Sequence, residues 1–548
     1  MLQRLNSNTL QFLIIAVAAI FFIPFLGNVH LFDWDEINFA ESAREMIVTG
    51  DYSTVQIDYM PFWEKPPLFI WMQVISMKMF GINEFAARFP NALCGIFTLL
   101  LLFRIGYKLI DKQFGVLWTL VYFGSLLPHM YFKSGIIDPW FNLFIFLGIY
   151  QIIRYFSNTG KPMQHAVLSA FFIGLGILTK GPVALLLFGA TAGLYILINK
   201  FRVPFKIIHI LVFIIVLTIT GGFWFILMIL KGNFDIIQDF IEYQIRLFNT
   251  RDSGHGGFFG YHFVVFLFGI FPASIFAISA FKLKKTDSLQ FNNYKSWMII
   301  LTVLVLVIFS IVKTKIVHYS SLMYFPVTFL ATSTLYNYIK KSEKWPVWQT
   351  VFILTIALIL VAITAILQYV VANAQSEFIQ NAIADKFTLE NLQAQVQWSG
   401  FEFLASIFYF LALIILITYF KSGKNQIKTI LVFFFSGIYF NVLIMLYVGR
   451  VEKYSQNAAL EFYKQKEHEN CYVETIGFKS YADLFYTNKK EPENRNSLDR
   501  NWLLTGPIDK PVYFVTKVNK LDGYLQQYPQ LKILYKKNGY VFLKREIN

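Results

Sequence analysis

Long apolar runs alternate with short polar segments along most of the chain, from Leu10 to Tyr447. A run of about 20 apolar residues is long enough to cross a bilayer as a helix. The pattern predicts about thirteen membrane spans, with approximate bounds 10–28, 86–104, 114–131, 136–153, 165–179, 183–199, 207–230, 260–281, 297–312, 318–338, 349–371, 401–420 and 429–449. The sequence therefore predicts a polytopic helical membrane protein.

The polar segment 28–85 interrupts this pattern after the first span. From Asp35 to Thr49, apolar residues recur at helical spacing and Gly50 follows as a stop signal, which predicts an amphipathic helix lying on the membrane face. A second helix is predicted to begin at Pro66 and to end at Gly81, because proline is tolerated in the first helical turn. We expect this loop to fold.

The segment 450–548 is the second polar region. Its strand-like runs are at 472–476, 512–516, 533–535 and 540–543, with helical patterns between them. The sequence therefore predicts two domains. Residues 1–449 form a transmembrane domain that includes the outer loop 28–85, and residues 450–548 form a small α/β domain.

Composition excludes an ordinary soluble enzyme. The chain is 56% hydrophobic and 15% charged, against about 25% charged in a soluble domain. Its 48 Lys and Arg against 33 Asp and Glu give a net charge of +15. In a membrane protein this excess indicates cytoplasmic loop charges and contact with anionic membrane lipids, and we expect no nucleic-acid partner.

Charged residues in the short loops predict the orientation. If the N-terminus is cytoplasmic, five loops on that side are rich in Lys and Arg, as the positive-inside rule requires. These loops lie near residues 104–112, 200–206, 282–295, 340–344 and 421–428. The loop 28–85 instead contains nine Asp and Glu. The prediction is a multi-pass protein of the cytoplasmic (inner) membrane, with the C-terminal domain outside, in the periplasm.

Carboxylates directly outside the first span are the first candidates for chemistry. Asp35 and Glu36 follow Asp33 and Trp34 there. They fit either a reactive site or an acidic helix start with Asp35 as N-cap. Glu64 and Lys65 precede the Pro66 helix. Free helix N–H groups together with Lys65 would suit a phosphate, and a solvated ion pair is the alternative.

Ionisable residues at the outer edges of later spans add to these. Asp138 and Lys180 stand beside apolar spans, where charges are costly and usually functional, although a structural lysine reaching the interface is an equal alternative. Lys313, Lys315 and Tyr319 form a basic and aromatic edge, which fits either phosphate binding or interfacial anchoring.

Several separated outer segments thus combine carboxylates, lysines and one histidine, His255. Glycines flank His255, which allows a ligand to approach closely, but a solvated histidine is an equal alternative. This composition indicates an active site at the membrane interface. A cytosolic nucleotide sugar does not reach that side, so a transferred sugar needs a lipid carrier, and a polyprenyl-phosphate sugar fits.

Five motifs in order carry a family resemblance: DEINFAESAREM at 35–46, EKPPL at 64–68, AARFP at 86–90, LTKGP at 178–182 and KTKIVHY at 313–319. With them the sequence resembles the aminoarabinose transferase and protein O-mannosyltransferase group of membrane glycosyltransferases, which have the GT-C fold. It resembles in particular the bacterial branch that modifies lipid A. The similarity fades after about residue 340.

The resemblance implies roles for matched residues. Asp35 would be the essential outer-loop aspartate and Asp138 a second catalytic carboxylate. Lys65 would bind the carrier phosphate, in a pocket that Tyr319 lines and to which Lys313 and Lys315 contribute. Glu36, Arg44 and Lys180 are further site candidates within the matched motifs.

The resemblance also bears on metals and on the sugar. Glu64 and His255 are similar to a pair that can hold a metal ion in this family, so a divalent ion (zinc, magnesium or manganese) is an alternative to our expectation that no cofactor is required. One position departs from the aminoarabinose branch. Asn38 stands where that branch typically has arginine, which puts aminoarabinose as the sugar, and lipid A as the acceptor, in doubt.

The predicted function is inverting transfer of a sugar from a polyprenyl-phosphate carrier to a lipid A-like lipid or another cell-envelope acceptor. Transfer to Ser or Thr of a protein is one alternative. A non-enzymatic lipid flippase or transporter is another. A transporter would favour charged residues at mid-span and an internal repeat, whereas most ionisable residues here lie at the outer rim.

Overall fold

The structure is a computed structural model that describes residues 6–157, 160–249, 256–282, 288–420 and 424–547, with the backbone alone for 247–249. Its first helices are α1 (Ser7–Phe22), α2 (Asp35–Thr49), α3 (Leu68–Phe80), α4 (Glu84–Leu109), α5 (Lys112–Phe123), α6 (Leu126–Tyr131), α7 (Asp138–Phe156), α8 (Pro162–Lys180) and α9 (Val183–Ile198). The next are α10 (Ile207–Gly221), α11 (Phe223–Leu230), α12 (Phe234–Asn249), α13 (Tyr261–Gly269), α14 (Ala273–Ala280), α15 (Leu289–Ile311) and α16 (Tyr324–Lys340).

The remaining helices are α17 (Val347–Ala372), α18 (Glu377–Ala382), α19 (Lys386–Asn391), α20 (Leu404–Tyr419), α21 (Asn425–Ser455), α22 (Asn457–Lys466), α23 (Ala482–Tyr486), α24 (Arg500–Thr505) and α25 (Leu521–Gln527). Three 3-10 helices are Val317–Met323, Arg495–Leu498 and Val518–Lys520. The strands are β1 (Gln56–Ile57), β2 (Met60–Pro61), β3 (Tyr472–Thr475), β4 (Val512–Lys517), β5 (Lys532–Lys537) and β6 (Tyr540–Arg545).

Apolar helices form the larger part of the protein. By length and composition, five helices of the described residues could cross a membrane: α4, α8, α15, α17 and α21. Two bent pairs, α10 with α11 at 58° and α13 with α14 at 110°, raise this number to seven. The helices α1, α9 and α20 are apolar but have 16 residues each. The protein is therefore a multi-pass membrane protein, and the count of about thirteen spans stays a prediction.

Close helix contacts hold the apolar part together. A Cβ atom built on Gly115 of α5 would lie 2.5 Å from the carbonyl oxygen of Phe103 in α4, so only glycine permits this approach. Aromatic rings fill the space between other helices, as where Phe146 and Phe325 stack with ring centroids 4.4 Å apart. The second contact joins α16 to α7, whose first residue is Asp138.

The outer loop folds as predicted in outline. Helix α2 occupies Asp35–Thr49 and ends at Gly50, whose φ of +73° is the left-handed conformation that favours glycine. The predicted second helix is α3, which starts at Leu68, two residues after Pro66. Asp35 is the first helical residue of α2, and Trp34 takes the N-cap position. The alternative interpretation of Asp35 as N-cap is therefore wrong.

The prediction that α2 lies on the membrane face is also wrong. Every residue of α2 from Glu36 to Met46 is buried. Its buried charged residues have partners, among them Glu36 with Arg88 and Glu41 with Arg44. Arg44 binds Glu41 through two hydrogen bonds of 2.7 and 2.6 Å, and it also contacts Asn488.

A four-stranded sheet with the order β3-β4-β6-β5 forms near the C-terminus. Strands β3 and β4 are parallel, whereas β4 with β6 and β5 with β6 are antiparallel. All four predicted strands are thereby confirmed. One apolar core joins this sheet to the outer loop, since Ile37 and Phe69 belong to the same buried cluster as Phe462 and Phe542. The C-terminal sheet is therefore held against α2, at the entrance to the site described next.

Candidate active site

A cavity of about 830 Å³ lies between the outer loop, the ends of several apolar helices and the C-terminal part. Segments far apart in sequence line it: 32–38, 64–65, 136–141, 180–186, 243–246 and parts of 309–319, together with Lys479. Part of its wall is apolar and the rest holds charged side chains of both signs. Such a cavity suits a ligand with a hydrocarbon part and a polar head.

Two carboxylates approach each other across His318 in this cavity. The His318 Nε2 atom is 3.4 Å from Asp35 Oδ2 and 3.8 Å from Asp138 Oδ2. Asp35 and Asp138 are the first residues of α2 and α7, where the helix dipole favours negative charge. Their exposure differs, with the Asp35 side chain 37% exposed and that of Asp138 only 3%. Asp35 is therefore the more accessible of the two carboxylates.

Lys180 fixes Asp138. It is the last residue of α8, and its Nζ atom donates a hydrogen bond of 2.6 Å to Asp138 Oδ1. The same ammonium lies 5.3 Å from the ring centroid of Tyr319 and 5.6 Å from that of Phe141. Lys180 thus points into the cavity, and the pair with Asp138 gives it a defined position within the site.

Lys65 lies on the wall formed by α12. Its Nζ atom is 4.9 Å from the ring centroid of Tyr243, and the Arg246 guanidinium carbon is 5.2 Å from the same ring. Burial lowers the pKa of Lys65, while the carboxylates of Glu64 and Asp35 raise it in part. Two cations on one tyrosine ring form the basic part of the cavity, which can bind an anionic group.

Glu36 lines the cavity but its carboxylate is fully engaged in hydrogen bonds. Arg88 donates to it through Nε at 2.9 Å and Nη2 at 2.7 Å, and the backbone N–H groups of Phe32 and Gly135 also donate to it. Burial raises the pKa of Glu36, but Arg88 and these N–H groups outweigh burial and hold it below its usual range. Glu36 therefore positions the backbone next to Asp35 and Asp138.

The chain is similar in sequence to known membrane transferases. The family model described as dolichyl-phosphate-mannose-protein mannosyltransferase matches residues 64–224. The chain is 24% identical over 352 residues to the undecaprenyl phosphate-alpha-4-amino-4-deoxy-L-arabinose arabinosyl transferase of Wigglesworthia glossinidia brevipalpis, covering 62% of this chain and 61% of the relative. To the corresponding transferase 1 of Proteus mirabilis it is 28% identical over 280 residues, covering 48% and 49%.

A solved structure agrees with these sequence matches. The crystal structure of ArnT from Cupriavidus metallidurans bound to undecaprenyl phosphate superimposes with a TM-score of 0.78 at 16% identity, over 98% of both chains. The chain is thus similar in sequence to these transferases over part of its length, and it has the fold of the ArnT structure. The matched regions span about half to two thirds of the two curated transferases, and the chain has the fold of the ArnT structure over nearly its whole length.

Three residues predicted for the site lie outside the cavity. The Lys315 ammonium donates to the carbonyls of Phe309, Ser310 and Val312 at 2.7, 2.7 and 2.6 Å, so it terminates α15 and does not line the cavity. Lys313 is exposed and also does not line the cavity. Arg44 is buried in its pair with Glu41, behind α2.

The metal hypothesis rests on Glu64 and His255. Glu64 lines the cavity, whereas His255 lies outside the described residues. Within the part of the chain that the structure describes, no group of three or more His, Cys, Asp and Glu side chains could hold a metal ion. The described residues alone do not fit a metal site, and the possible ion stays a prediction.

Four residues that line the cavity were not predicted from the sequence: Tyr243, Arg246, His318 and Lys479. His318 was within a recognised motif, and its position next to Tyr319 at the outer edge of a span was the available signal. The amphipathic pattern of α12 was a weak signal for Tyr243 and Arg246. No sequence pattern pointed to Lys479, because it belongs to the C-terminal part of the chain. It reaches the cavity through a contact in which its Nζ atom is 4.9 Å from the ring centroid of Trp34.

Proposed function

We propose that the protein transfers a sugar from a polyprenyl-phosphate carrier to a lipid acceptor of the cell envelope, by an inverting mechanism. The observation that carries the proposal is one cavity in which Asp35, His318 and Asp138 face the cations Lys65 and Lys180. The relatives named as undecaprenyl phosphate-dependent transferases, and the ArnT structure bound to undecaprenyl phosphate, support the carrier.

The apolar wall of the cavity suits the polyprenyl chain. Val183, Leu185 and Leu186 at the start of α9 line the cavity, and Leu186 is 53% exposed. Because an exposed leucine on an apolar helix faces lipid in a membrane, this side of the cavity opens toward the bilayer. A carrier lipid can thus reach the cations at Lys65 from within the membrane.

Each charged side chain of the cavity has a role in the proposed reaction. The acceptor oxygen attacks the anomeric carbon and forms the new glycosidic bond, while the bond from that carbon to the carrier phosphate oxygen breaks and the phosphate leaves with the electron pair. Asp35 accepts the proton of an acceptor hydroxyl. Lys65 and neighbouring Arg246 stabilise the charge that develops on the phosphate. An acceptor phosphate oxygen has no proton to lose, and Asp35 then positions it.

Asp138 acts through its neighbours. Lys180 keeps its carboxylate in place from one side, and His318 contacts it from the other. Because His318 Nε2 is also within 3.4 Å of Asp35 Oδ2, the imidazole orients the carboxylate that receives the proton. Tyr319 and Phe141 lie beside the Lys180 ammonium and complete this side of the site.

The membrane arrangement belongs to the same proposal. A GT-C protein with about thirteen spans, a cytoplasmic N-terminus and residues 450–548 outside would place the cavity at the outer face of the inner membrane. The acidic loop 28–85 and the Lys- and Arg-rich loops support this orientation. A lipid-linked donor is then presented on the side where no nucleotide sugar is available.

Mass spectrometry of lipid and protein fractions tests the activity. We expect cells that produce the protein to contain a lipid whose mass exceeds that of its precursor by one sugar, and cells without it to accumulate the precursor. The same difference found on Ser- or Thr-containing peptides, and not on lipid, would replace the lipid acceptor by protein. Unchanged fractions, together with transport of the carrier by the purified protein in vesicles, would favour a flippase.

Lys65→Ala should weaken binding of undecaprenyl phosphate even when no acceptor is present. The loss of one charge-assisted contact costs about 1.5 to 3 kcal/mol, which is a decrease in affinity of roughly 10- to 150-fold. Titration of the purified protein in detergent with undecaprenyl phosphate measures this change. Lys313→Ala is the matched control, because Lys313 is exposed and outside the cavity. Equal affinity of both variants would place the phosphate elsewhere.

A further inference from the structure

A second cavity, of about 910 Å³, lies at the end of α17, apart from the candidate active site. The last two turns of α17, the segment 392–400, Phe403 and Tyr454 of α21 form its walls. No described residue lines both cavities. Phe387, just before this segment, packs against Tyr540 of the C-terminal sheet with ring centroids 5.2 Å apart. Because that sheet is held against α2, both cavities lie on the same side of the protein.

The lining of the second cavity is uncharged. Among the described residues that line it there is no Asp, Glu, Lys, Arg or His, although the chain has a net charge of +15. The side-chain amides in the lining are those of Gln368, Asn373, Gln395 and Gln397. The aromatic rings are those of Tyr369, Trp398, Phe403 and Tyr454. Such a lining matches a neutral ligand that has both hydrogen-bonding groups and apolar faces.

Several polar groups of this lining are available to a ligand. The side chains of Gln395 and Gln397 are exposed and form no hydrogen bond with the described part of the chain. The Tyr454 hydroxyl accepts a hydrogen bond of 2.9 Å from Trp398 Nε1, which leaves its own hydrogen to donate. Tyr369 is 57% exposed, so its ring is accessible. The cavity therefore offers donors, acceptors and an aromatic ring to a bound molecule.

A pair of charges behind the lining holds the wall of this cavity in place. Glu402 is 4% exposed, and its carboxylate accepts hydrogen bonds of 2.8 and 3.2 Å from the backbone N–H groups of residues 399–400. Arg450 lies 3.1 Å from the Glu402 carboxylate and donates to the carbonyl of Gln397 at 3.0 Å. Its guanidinium carbon is 5.2 Å from the ring centroid of Trp398. The wall is thus preorganised, which lowers the entropic cost of binding.

This lining distinguishes between the molecules found at a membrane surface. A phosphate head group is bound by cations, and no cation lines the described part of this cavity. An acyl chain does not form hydrogen bonds with amides. A neutral sugar has hydroxyl groups that both donate and accept, as amides do, and C–H faces that stack on aromatic rings. Tyr and Trp also anchor membrane proteins at the interface, but anchoring does not require the free amides of Gln395 and Gln397.

We propose that the second cavity is a binding site for a neutral sugar unit, separate from the candidate active site. The amides of Gln395 and Gln397 bind the hydroxyl groups of the sugar, and the Tyr369 ring stacks on its C–H face. The sugar belongs to a glycolipid or to a free oligosaccharide. The inference does not depend on the proposed function, because the two cavities share no described residue.

Saturation-transfer difference NMR on the purified full-length protein tests the site. The detergent is lauryldimethylamine oxide, because an alkyl maltoside carries a sugar that would itself occupy the cavity. The probes are N,N′-diacetylchitobiose, maltose and phosphocholine. We expect the two neutral disaccharides to bind and phosphocholine not to bind. Undecaprenyl phosphate should not displace the disaccharides, because its phosphate binds in the other cavity.

Two variants test the residues. The double variant Gln395→Ala/Gln397→Ala should bind the disaccharides about tenfold more weakly, the effect of losing one or two hydrogen bonds. Gln393→Ala is the matched control, because Gln393 is exposed in the same part of the chain and does not line the cavity. Tyr369→Leu keeps an apolar side chain but removes the ring, and it should also weaken binding. Its control is Tyr419→Leu, since Tyr419 is 72% exposed and outside the cavity.

A lipid-linked probe distinguishes the two sources of the sugar. Dodecyl maltoside and maltose carry the same disaccharide, and each is titrated against bound N,N′-diacetylchitobiose. Displacement at a much lower concentration of dodecyl maltoside would assign a glycolipid. Equal potency of the two would assign a free oligosaccharide.

Other outcomes would overturn the inference. A parent protein that binds neither disaccharide, or that binds phosphocholine more tightly, has no sugar site here. Displacement of the disaccharides by undecaprenyl phosphate would place them in the candidate active site. If the double variant and Tyr369→Leu bind the disaccharides as the parent does, and only their melting temperatures fall, the lining is an interfacial anchor. Equal weakening by Gln393→Ala would also remove the assignment to this cavity.

Discussion

Asp35→Asn should lower glycosyl transfer by roughly a hundredfold or more, the usual contribution of general acid-base catalysis, if the acceptor is a hydroxyl. The substitution preserves size and leaves the first turn of α2 in place, but an amide cannot take the proton. His318 Nε2 remains within reach of the new side chain, so the geometry around Asp138 should be preserved. Turnover of the lipid-linked donor by purified protein measures the effect.

The control for this variant is Asp235→Asn. Asp235 also lies in the first turn of an outer helix, α12, but it is exposed and does not line the cavity. It should keep parental activity. Near-normal kcat in Asp35→Asn would remove Asp35 from proton transfer. A raised acceptor KM with unchanged kcat would indicate a phosphate acceptor that Asp35 only positions.

Local sequence patterns were sufficient to predict the helices of the loop 28–85 and the strands of the C-terminal sheet. Gly50 and Gly81 end α2 and α3 as predicted, and the strand-like runs became β3 to β6. These signals depend on residues that are neighbours in the sequence and on the backbone conformations those residues prefer. A single sequence is enough to recognise them. The burial of α2 on all sides could not be predicted in this way, because some of its partners are more than 400 residues away, as Asn488 is from Arg44.

Candidate site residues could be predicted when a charged residue stood beside an apolar span in the sequence. Asp138 and Lys180 were found by that rule, since a charge in such a place needs a partner, and each proved to be the partner of the other. The same rule was wrong for Lys315, because helix-terminal carbonyls also satisfy an ammonium. Which of the two partners a lysine meets depends on the packing of distant helices, and no spacing in the sequence records it.

The pair of Glu36 and Arg88 connects stability to the site. Both side chains are 5% exposed, and Arg88 also donates to the carbonyls of Leu26, Val29 and His30. Arg88 thus joins the start of α4 to the segment that follows α1, and Glu36 adds the segment before α7 through the N–H group of Gly135. Glu36 therefore helps to hold Asp35 and Asp138 in position.

Glu36→Gln should destabilise the protein by about 3 to 5 kcal/mol, because it removes one partner of a buried ion pair and leaves the Arg88 charge uncompensated. Thermal unfolding in detergent, followed by tryptophan fluorescence, measures the change. Glu461→Gln is the matched control. Glu461 pairs with Lys537, and the two side chains are 44% and 48% exposed, respectively. Loss of such an exposed pair costs about 0 to 1 kcal/mol. Asp35→Asn should unfold with the parent. If Glu36→Gln were as stable as the parent, hydrogen bonds alone would be enough to hold these three segments together. A loss of activity in that variant would then be due to the missing charge of Glu36 and not to unfolding.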